Sequence, residues 1–244
     1  MTLQPNPRDA QVAEPGGTLR INGVDVRADG RTQATYLNQA FFWMFAGLLM
    51  TAGIAAIVQA NTGLLQLAAR NILPLVLGQL VLVMVISWGI TRISATVALG
   101  LFFVYAASLG LVVGLIVSQY APSSVAAAFI SASAMFGGAA LYGYTTKRSL
   151  VGIGGMVRMG IFGLFAAIVV NIFIGGSTFA WIISLVGVVL FTVLTAFHVQ
   201  RIAKGELVIA TGSVEKAAVI GALALYLDFV NVFLFLLRLF GGRR

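Results

Sequence analysis

The stretch LYLDFVNVFLFLLRLF, Leu225–Phe240, is an apolar segment of helical length that contains an acid. Asp228 lies inside it, and Asn231 follows almost one helical turn later. An ionised carboxylate at the centre of a membrane helix costs about 2.5–3.5 kcal/mol on insertion scales. Such an acid must be protonated, paired with another group, or in contact with water. We therefore interpret Asp228 as a functional residue if this segment crosses a membrane.

The composition of the whole chain is that of an integral membrane protein. Of its 244 residues, 60% are hydrophobic and 9% are charged, whereas a soluble domain is about half apolar and about a quarter charged. The net charge of +8 does not indicate a nucleic-acid partner, because the basic residues are scattered between apolar segments instead of forming one patch. The chain has no cysteine, which excludes disulfides, thiolate catalysis and cysteine–metal sites.

Seven apolar segments are each close to the length of about 20 residues that a helix needs to cross a bilayer. They predict an all-α membrane bundle in which short connections make consecutive helices antiparallel neighbours. The predicted spans are Tyr36–Ala60, Ile72–Ile90, Ala95–Ser118, Ser124–Tyr144, Ile153–Ile174, Phe179–Gln200 and Ala217–Phe240.

Residues 1–35 are polar and show no apolar periodicity. This pattern predicts a flexible N-terminal tail, followed by a transmembrane domain that occupies residues 36–244. We expect no cleavable signal peptide in the tail, because it has no short apolar core with a cleavage site.

Lysine and arginine are distributed unequally between the two ends of the predicted bundle, which predicts a cytoplasmic N-terminus and an external C-terminus. A last segment that enters the membrane and returns would also place the terminal arginines inside, and this alternative stays open. One end holds Arg8, Arg20, Arg27, Arg31, Arg92, Lys147, Arg148, Arg158, Arg201, Lys204 and Lys216. The other end holds Arg70, Arg238, Arg243 and Arg244.

No enzyme signature accompanies the apolar segments, since the chain has no HExxH, GxSxG, GxGD or P-loop motif. Between Tyr36 and Phe240 the acids are Glu206, Glu215 and Asp228, and the chain has one histidine. This supply is too small for a metal or hydrolase site. We therefore predict that the protein is not an enzyme and has neither a metal site nor a cofactor.

Three ionisable side chains lie at or near membrane depth. Asp228 is eleven residues into its predicted span, too deep for its short side chain to reach the interface. His198, in LTAFHVQRI, lies near the cytoplasmic end of the sixth span. Arg158 lies five residues into the fifth span, where its long side chain can extend to the lipid headgroups.

Three stretches of the sequence resemble the Bax inhibitor-1 family, particularly its bacterial branch. They are MFGGAALYGYTTKRSL, WIISLVGVVLFTVLTAF followed by QRI, and GALALYLDFVNVFLFLLRLFGGRR. They occur in the family's order, and the likeness extends from about Tyr36 to the C-terminus. The resemblance implies six helices around a central seventh, in a bacterial inner membrane.

In that family, two aspartates of the sixth and seventh helices share a proton and form a latch that closes a calcium-leak pathway. The resemblance places the second aspartate at Asp228. Where the family reads TAYD, this chain reads Thr195-Ala196-Phe197-His198, so His198 replaces the first aspartate. The implied site is a pH latch of Asp228 and His198, with Asn231 and Arg158 as supporting polar residues. One carboxylate and an imidazole suit calcium poorly.

The predicted boundaries conflict with a contact between Asp228 and His198. Asp228 lies about 16 Å into its helix at the helical rise per residue, whereas His198 lies near the end of its own. The two side chains meet only if EKAAVIGA, residues 215–222, lies largely outside the membrane core, or if the sixth helix reaches deeper.

Two functions remain open at this point. The first is a weak, pH-modulated leak of calcium or another cation through a cytoplasm-facing crevice that Asp228 and His198 control. The second is a non-transporting regulator, or partner, of a membrane-bound quality-control protease, with residues 1–35 as the contact segment. The lipid bilayer is a partner in both.

Overall fold

The computed structural model describes residues 18–21, 24–27 and 30–241. Two short antiparallel strands come first, β1 (Thr18–Ile21) and β2 (Val24–Arg27), and Thr18 pairs with Arg27. The predicted flexible tail, residues 1–35, lies partly outside the described residues, and its flexibility stays a prediction.

Nine α-helices follow in the described part of the chain. Seven of them, all except α2 and α8, are long and apolar enough to cross a membrane, which confirms the predicted seven-helix membrane bundle. The helices are α1 (Gly30–Ala60), α2 (Thr62–Arg70), α3 (Ile72–Gly89), α4 (Ala95–Val117), α5 (Pro122–Thr145), α6 (Val151–Ile174), α7 (Ser177–Ala203), α8 (Glu206–Thr211) and α9 (Val214–Phe240).

The two short helices occupy segments that the sequence analysis treated as connections. Asn61 starts α2, because its side-chain oxygen accepts hydrogen bonds from the backbone N–H groups of Gly63 and Leu64. Gly205 and Gly212 lie on either side of α8 with φ angles of 75° and 67°. Residues with side chains rarely adopt this left-handed conformation, so these two glycines permit the sharp turns into and out of α8.

The last helix, α9, is the most buried of the seven membrane-spanning helices. It packs against α1, α4, α5 and α7, whereas α3 and α6 lie at the periphery and pack mainly against α4 and α7, respectively. A helix that is hydrophobic on all sides is stable in such a position, because every face meets another helix. The central place of the seventh span therefore agrees with the arrangement that the resemblance implies.

Small residues bring α4 close to α1. A Cβ atom built on Gly110 would lie 2.6 Å from the Cβ of Ile54, and one built on Gly114 would lie 2.9 Å from the Cβ of Val58. These two glycines form a GxxxG pair. In a membrane, where no hydrophobic effect drives helices together, such close approach gains the dispersion contacts that hold them.

A buried hydrogen-bond network connects three helices near the centre of the bundle. The hydroxyl of Thr51 on α1 donates to the carbonyl of Ala106 on α4 at 2.9 Å. The same hydroxyl then accepts a bond from the phenol of Tyr226 on α9, at 2.6 Å. In addition, the phenol of Tyr36 donates to the carbonyl of Ile202 on α7. The hydroxyls of Thr51, Tyr226 and Tyr36 thus each have a partner, as an apolar interior requires.

Candidate functional site

A contact between an acid and an imidazole joins α7 to the central helix α9. Nδ1 of His198 lies 2.7 Å from Oδ2 of Asp228. The Asp228 side chain is 1% exposed and that of His198 is 21% exposed. With Asp228 ionised, the Nδ1–H of His198 donates to its carboxylate, which gives the buried acid the partner that its location demands.

The antiparallel register of α7 and α9 explains how the two side chains meet. Gly187 packs against the ring of Phe235 towards one end of the helix pair, and Ile202 packs against Gly221 towards the other. Because α7 ends at Ala203, residues 214–220 of α9 extend beyond it. The depth conflict in the predicted boundaries is removed in this way, since the first two turns of α9 have no counterpart on α7.

A cavity of about 500 Å³ lies beside the pair, between α3, α4, α6, α7 and α9. Along α9 it extends from Ile220 to Asn231, which is about 16 Å of helix. Most of its lining is aliphatic or aromatic. The polar residues that line it are Gln79, Ser87, Tyr105, His198, Asp228 and Asn231.

The structure places the two predicted supporting residues differently. Asn231 lines the cavity, and its Nδ2 donates to the carbonyl of Leu227 at 2.8 Å. Arg158 lies outside the residues that line this cavity, and its Nε donates to the carbonyl of Gly154 at 3.2 Å. Of these two residues, only Asn231 therefore lines the same cavity as the Asp228–His198 pair.

Arg158 instead packs near an aromatic ring that neighbours the pair. Its guanidinium carbon lies 5.8 Å from the ring centroid of Phe197, and that of Arg201 lies 5.5 Å from the same centroid. Arg201 also pairs with Glu206, at 3.1 Å. The Phe197 ring centroid lies 5.6 Å from that of His198. The guanidinium groups of Arg158 and Arg201 thus make cation–π contacts with Phe197, whose ring lies next to the imidazole of His198.

Gln79, on α3, is a polar group that the sequence analysis did not select. Its side chain is 7% exposed, lines the cavity, and has no hydrogen-bond partner for Nε2 within the described residues. A single amide in the apolar run LPLVLGQLVLVMV is the one signal that the sequence offers. An unpaired buried donor is unfavourable, so this amide is available to anything that enters the cavity.

Gln200 is a second polar residue that the sequence analysis missed. Its amide oxygen accepts from the backbone N–H of Leu150 at 2.8 Å, and its Nε2 donates to the carbonyl of Arg148 at 2.8 Å. The loop between α5 and α6 is therefore attached to α7, two residues after His198. This buried side chain is fully used in holding the loop.

Within residues 18–21, 24–27 and 30–241, no three His, Asp or Glu side chains come close enough together to hold a metal ion. What the described site offers is one carboxylate, one imidazole and several neutral polar groups. Such a set can exchange a proton and attract a cation weakly.

The bundle and the buried acid–imidazole pair define a multi-pass membrane protein with an ionisable site between its last two spans. A family model described as "Inhibitor of apoptosis-promoting Bax1" matches residues 33–244. The chain belongs to this family, the Bax inhibitor-1 family, as the resemblance in its sequence predicted, and is an integral inner-membrane protein.

Proteins similar in sequence to this chain occur in several bacteria. The chain is 39% identical over 216 residues to the inner membrane protein YbhL of Escherichia coli, covering 86% of this chain and 92% of the relative. It is 40% identical over 210 residues to an uncharacterized protein of Deinococcus radiodurans, with 86% and 91% covered. An uncharacterized protein of Borreliella burgdorferi is 36% identical over 214 residues, with 86% and 92% covered.

Proposed function

We propose that this protein is a weak, pH-modulated cation leak whose crevice is controlled by the Asp228–His198 pair. The observation that carries the proposal is the 2.7 Å contact that joins α7 to α9 at the wall of a 500 Å³ cavity. A bond between two helices at the wall of a cavity can hold those helices together. Its loss would let them separate and extend the cavity along the bundle.

The cavity faces the cytoplasm in this proposal. It reaches Ser87, close to the end of α3, and Ile220, close to the start of α9. The connections at this end of the bundle carry most of the basic residues, which favours a cytoplasmic location and a cytoplasmic N-terminus. The basic residues in or next to these connections include Arg92, Lys147, Arg148, Arg201, Lys204 and Lys216.

The pH response of this pair differs from that of a two-aspartate latch. Two adjacent carboxylates hold one proton between them, and they repel each other when that proton leaves at high pH. Here a protonated imidazole attracts the ionised carboxylate, and loss of the imidazole proton as the pH rises only removes the positive charge. The pair is closed most firmly while His198 is protonated and Asp228 is ionised, and no repulsion opens it. The response is therefore muted, and a single carboxylate attracts calcium less strongly than two.

The alternative is a regulator that transports nothing and binds a membrane-bound quality-control protease. The observation that favours it is the burial of Asp228, which is 1% exposed and already bonded to His198. On this alternative the pair fixes helix packing, and residues 1–35 contact the partner. We assign no catalytic role to the site in either function.

Ion flux in sealed liposomes separates the two functions. Purified protein is reconstituted, and the influx of calcium and of potassium is measured at pH 6, 7 and 8 beside the Asp228→Asn variant and protein-free liposomes. A leak predicts flux above the protein-free level that Asp228→Asn reduces. Flux equal to that of protein-free liposomes at every pH would reject the leak and favour the non-transporting regulator.

A further inference from the structure

The cavity beside the pair reaches the outer surface of the bundle at α3 and α6. Its peripheral walls, α3 and α6, pack mainly on α4 and α7 and make little contact with each other. Leu80 and Met84 of α3 and Phe165 of α6 line the cavity and are also exposed at the surface of the bundle. That surface faces lipid in a membrane, so a molecule dissolved in the bilayer can enter laterally.

The cavity carries one negative charge when Asp228 is ionised and His198 is neutral. Asp228 is the one acid among the described residues that line it, and no lysine or arginine lines it. The aromatic rings of Tyr105, Phe165 and Phe191 also line it, and the faces of such rings attract cations. A largely apolar cavity with one acid and several aromatic rings is complementary to an organic cation with an apolar body.

Gln79 adds a second requirement for the occupant. It lies on α3, whereas His198 and Asp228 lie on α7 and α9, and all three side chains line the same cavity. Its Nε2 is buried without a partner within the described residues. A ligand that carries a hydrogen-bond acceptor would satisfy this donor while its cationic centre lies near Asp228.

We infer that this cavity binds amphiphilic organic cations that enter from the bilayer between α3 and α6. In the complex the ammonium group faces Asp228, the apolar body contacts Phe165 and Phe191, and an acceptor bonds to Gln79. This inference uses the same crevice as the proposed leak. It depends on binding and not on ion flux.

The test is equilibrium binding to the full-length protein in phosphatidylcholine nanodiscs at pH 7.5, with protein-free nanodiscs subtracted. Tetracaine has a protonatable dialkylamine and an ester carbonyl, and benzocaine has the ester without the dialkylamine. We expect saturable binding of tetracaine that Asp228→Asn weakens about tenfold or more, the loss of one charge-assisted contact. Gln79→Leu should weaken it about threefold, the loss of one neutral hydrogen bond.

Asn171 provides a matched control. Its buried Oδ1 also lacks a partner within the described residues, but it lines a different cavity, so Asn171→Leu should leave tetracaine affinity unchanged. Benzocaine should bind the parent and Asp228→Asn alike. Tetracaine that does not saturate, or that binds no more tightly than benzocaine to the parent protein, would overturn the inference without relying on any variant. Binding without ion flux would leave this inference standing and reject the leak, and flux without binding would do the reverse.

Discussion

The imidazole of His198 and the carboxylate of Asp228 are 2.7 Å apart, although the two residues lie at different distances from the ends of their helices. Their contact follows from the register of α7 and α9, in which about the first two turns of α9 extend beyond the end of α7. Asp228, the acid within the apolar stretch Leu225–Phe240, therefore has a hydrogen-bond partner. That partner is the single histidine of the chain.

Removal of the histidine alone should destabilise the protein. His198→Ala leaves Asp228 buried without its bond, and we expect the free energy of unfolding to fall by about 1–3 kcal/mol. The double variant His198→Ala with Asp228→Leu removes the buried acid as well and should recover much of that loss. Unfolding in mixed micelles measures both. Equal stability of His198→Ala and the parent would show that the contact contributes nothing.

Close packing of α5 against α7 gives a second prediction. A Cβ atom on Gly143 would overlap the backbone carbonyl oxygen of Ala196, whereas one on Gly137, on the same helix, meets nothing within 4 Å. Gly143→Ala should therefore cost about 1–3 kcal/mol of stability, as overpacking does, and Gly137→Ala should be nearly neutral. Thermal unfolding in detergent compares them. A neutral Gly143→Ala would show that the two helices are further apart than described.

The loop between α5 and α6 should depend on Gln200. Replacement of Gln200 by Leu removes the acceptor of the Leu150 N–H and the donor to the Arg148 carbonyl. We expect faster hydrogen exchange at residues 146–150, because the backbone groups there lose buried partners. Gln119→Leu, at an exposed position, is the control. Unchanged exchange in Gln200→Leu would contradict the attachment of this loop to α7.

The direction of insertion gives a fourth prediction. The basic residues at the end of the bundle that holds residues 90–94, 146–150 and 204–213 favour a cytoplasmic location for that end. With seven spans, the N-terminus is then cytoplasmic and the C-terminus external. Reporter fusions at both ends test this in cells. A cytoplasmic signal from the C-terminal fusion would contradict seven spans and support a re-entrant last segment.

Hydrophobic length made the seven spans predictable, because a bilayer sets how many apolar residues a helix needs. The same criterion could not find α2, whose nine residues are too few to cross and are started by the local cap at Asn61. The pairing of His198 with Asp228 came from the resemblance, since register between helices is set by side-chain packing. Gly187 against Phe235 and Gly221 against Ile202 fix that register.

The remaining members of the site could not be assigned from residue type alone. In the sequence, Arg158 and Gln79 are each a single polar residue within an apolar segment. The structure places Arg158 near the ring of Phe197 and Gln79 in the cavity wall. Which face of a helix turns towards a neighbour depends on the whole bundle, and a sequence that is apolar on all sides carries no such signal.

The most direct test of the proposed leak is the calcium flux of His198→Asp in liposomes at several pH values. Two carboxylates at this contact would share one proton at low pH and repel each other at high pH. We expect more calcium flux than in the parent, rising from acidic to neutral pH. The addition of Asp228→Asn should remove that gain, since an amide neither titrates nor carries charge. A folded His198→Asp variant whose flux equals that of the parent at every pH would contradict control of the crevice by this pair.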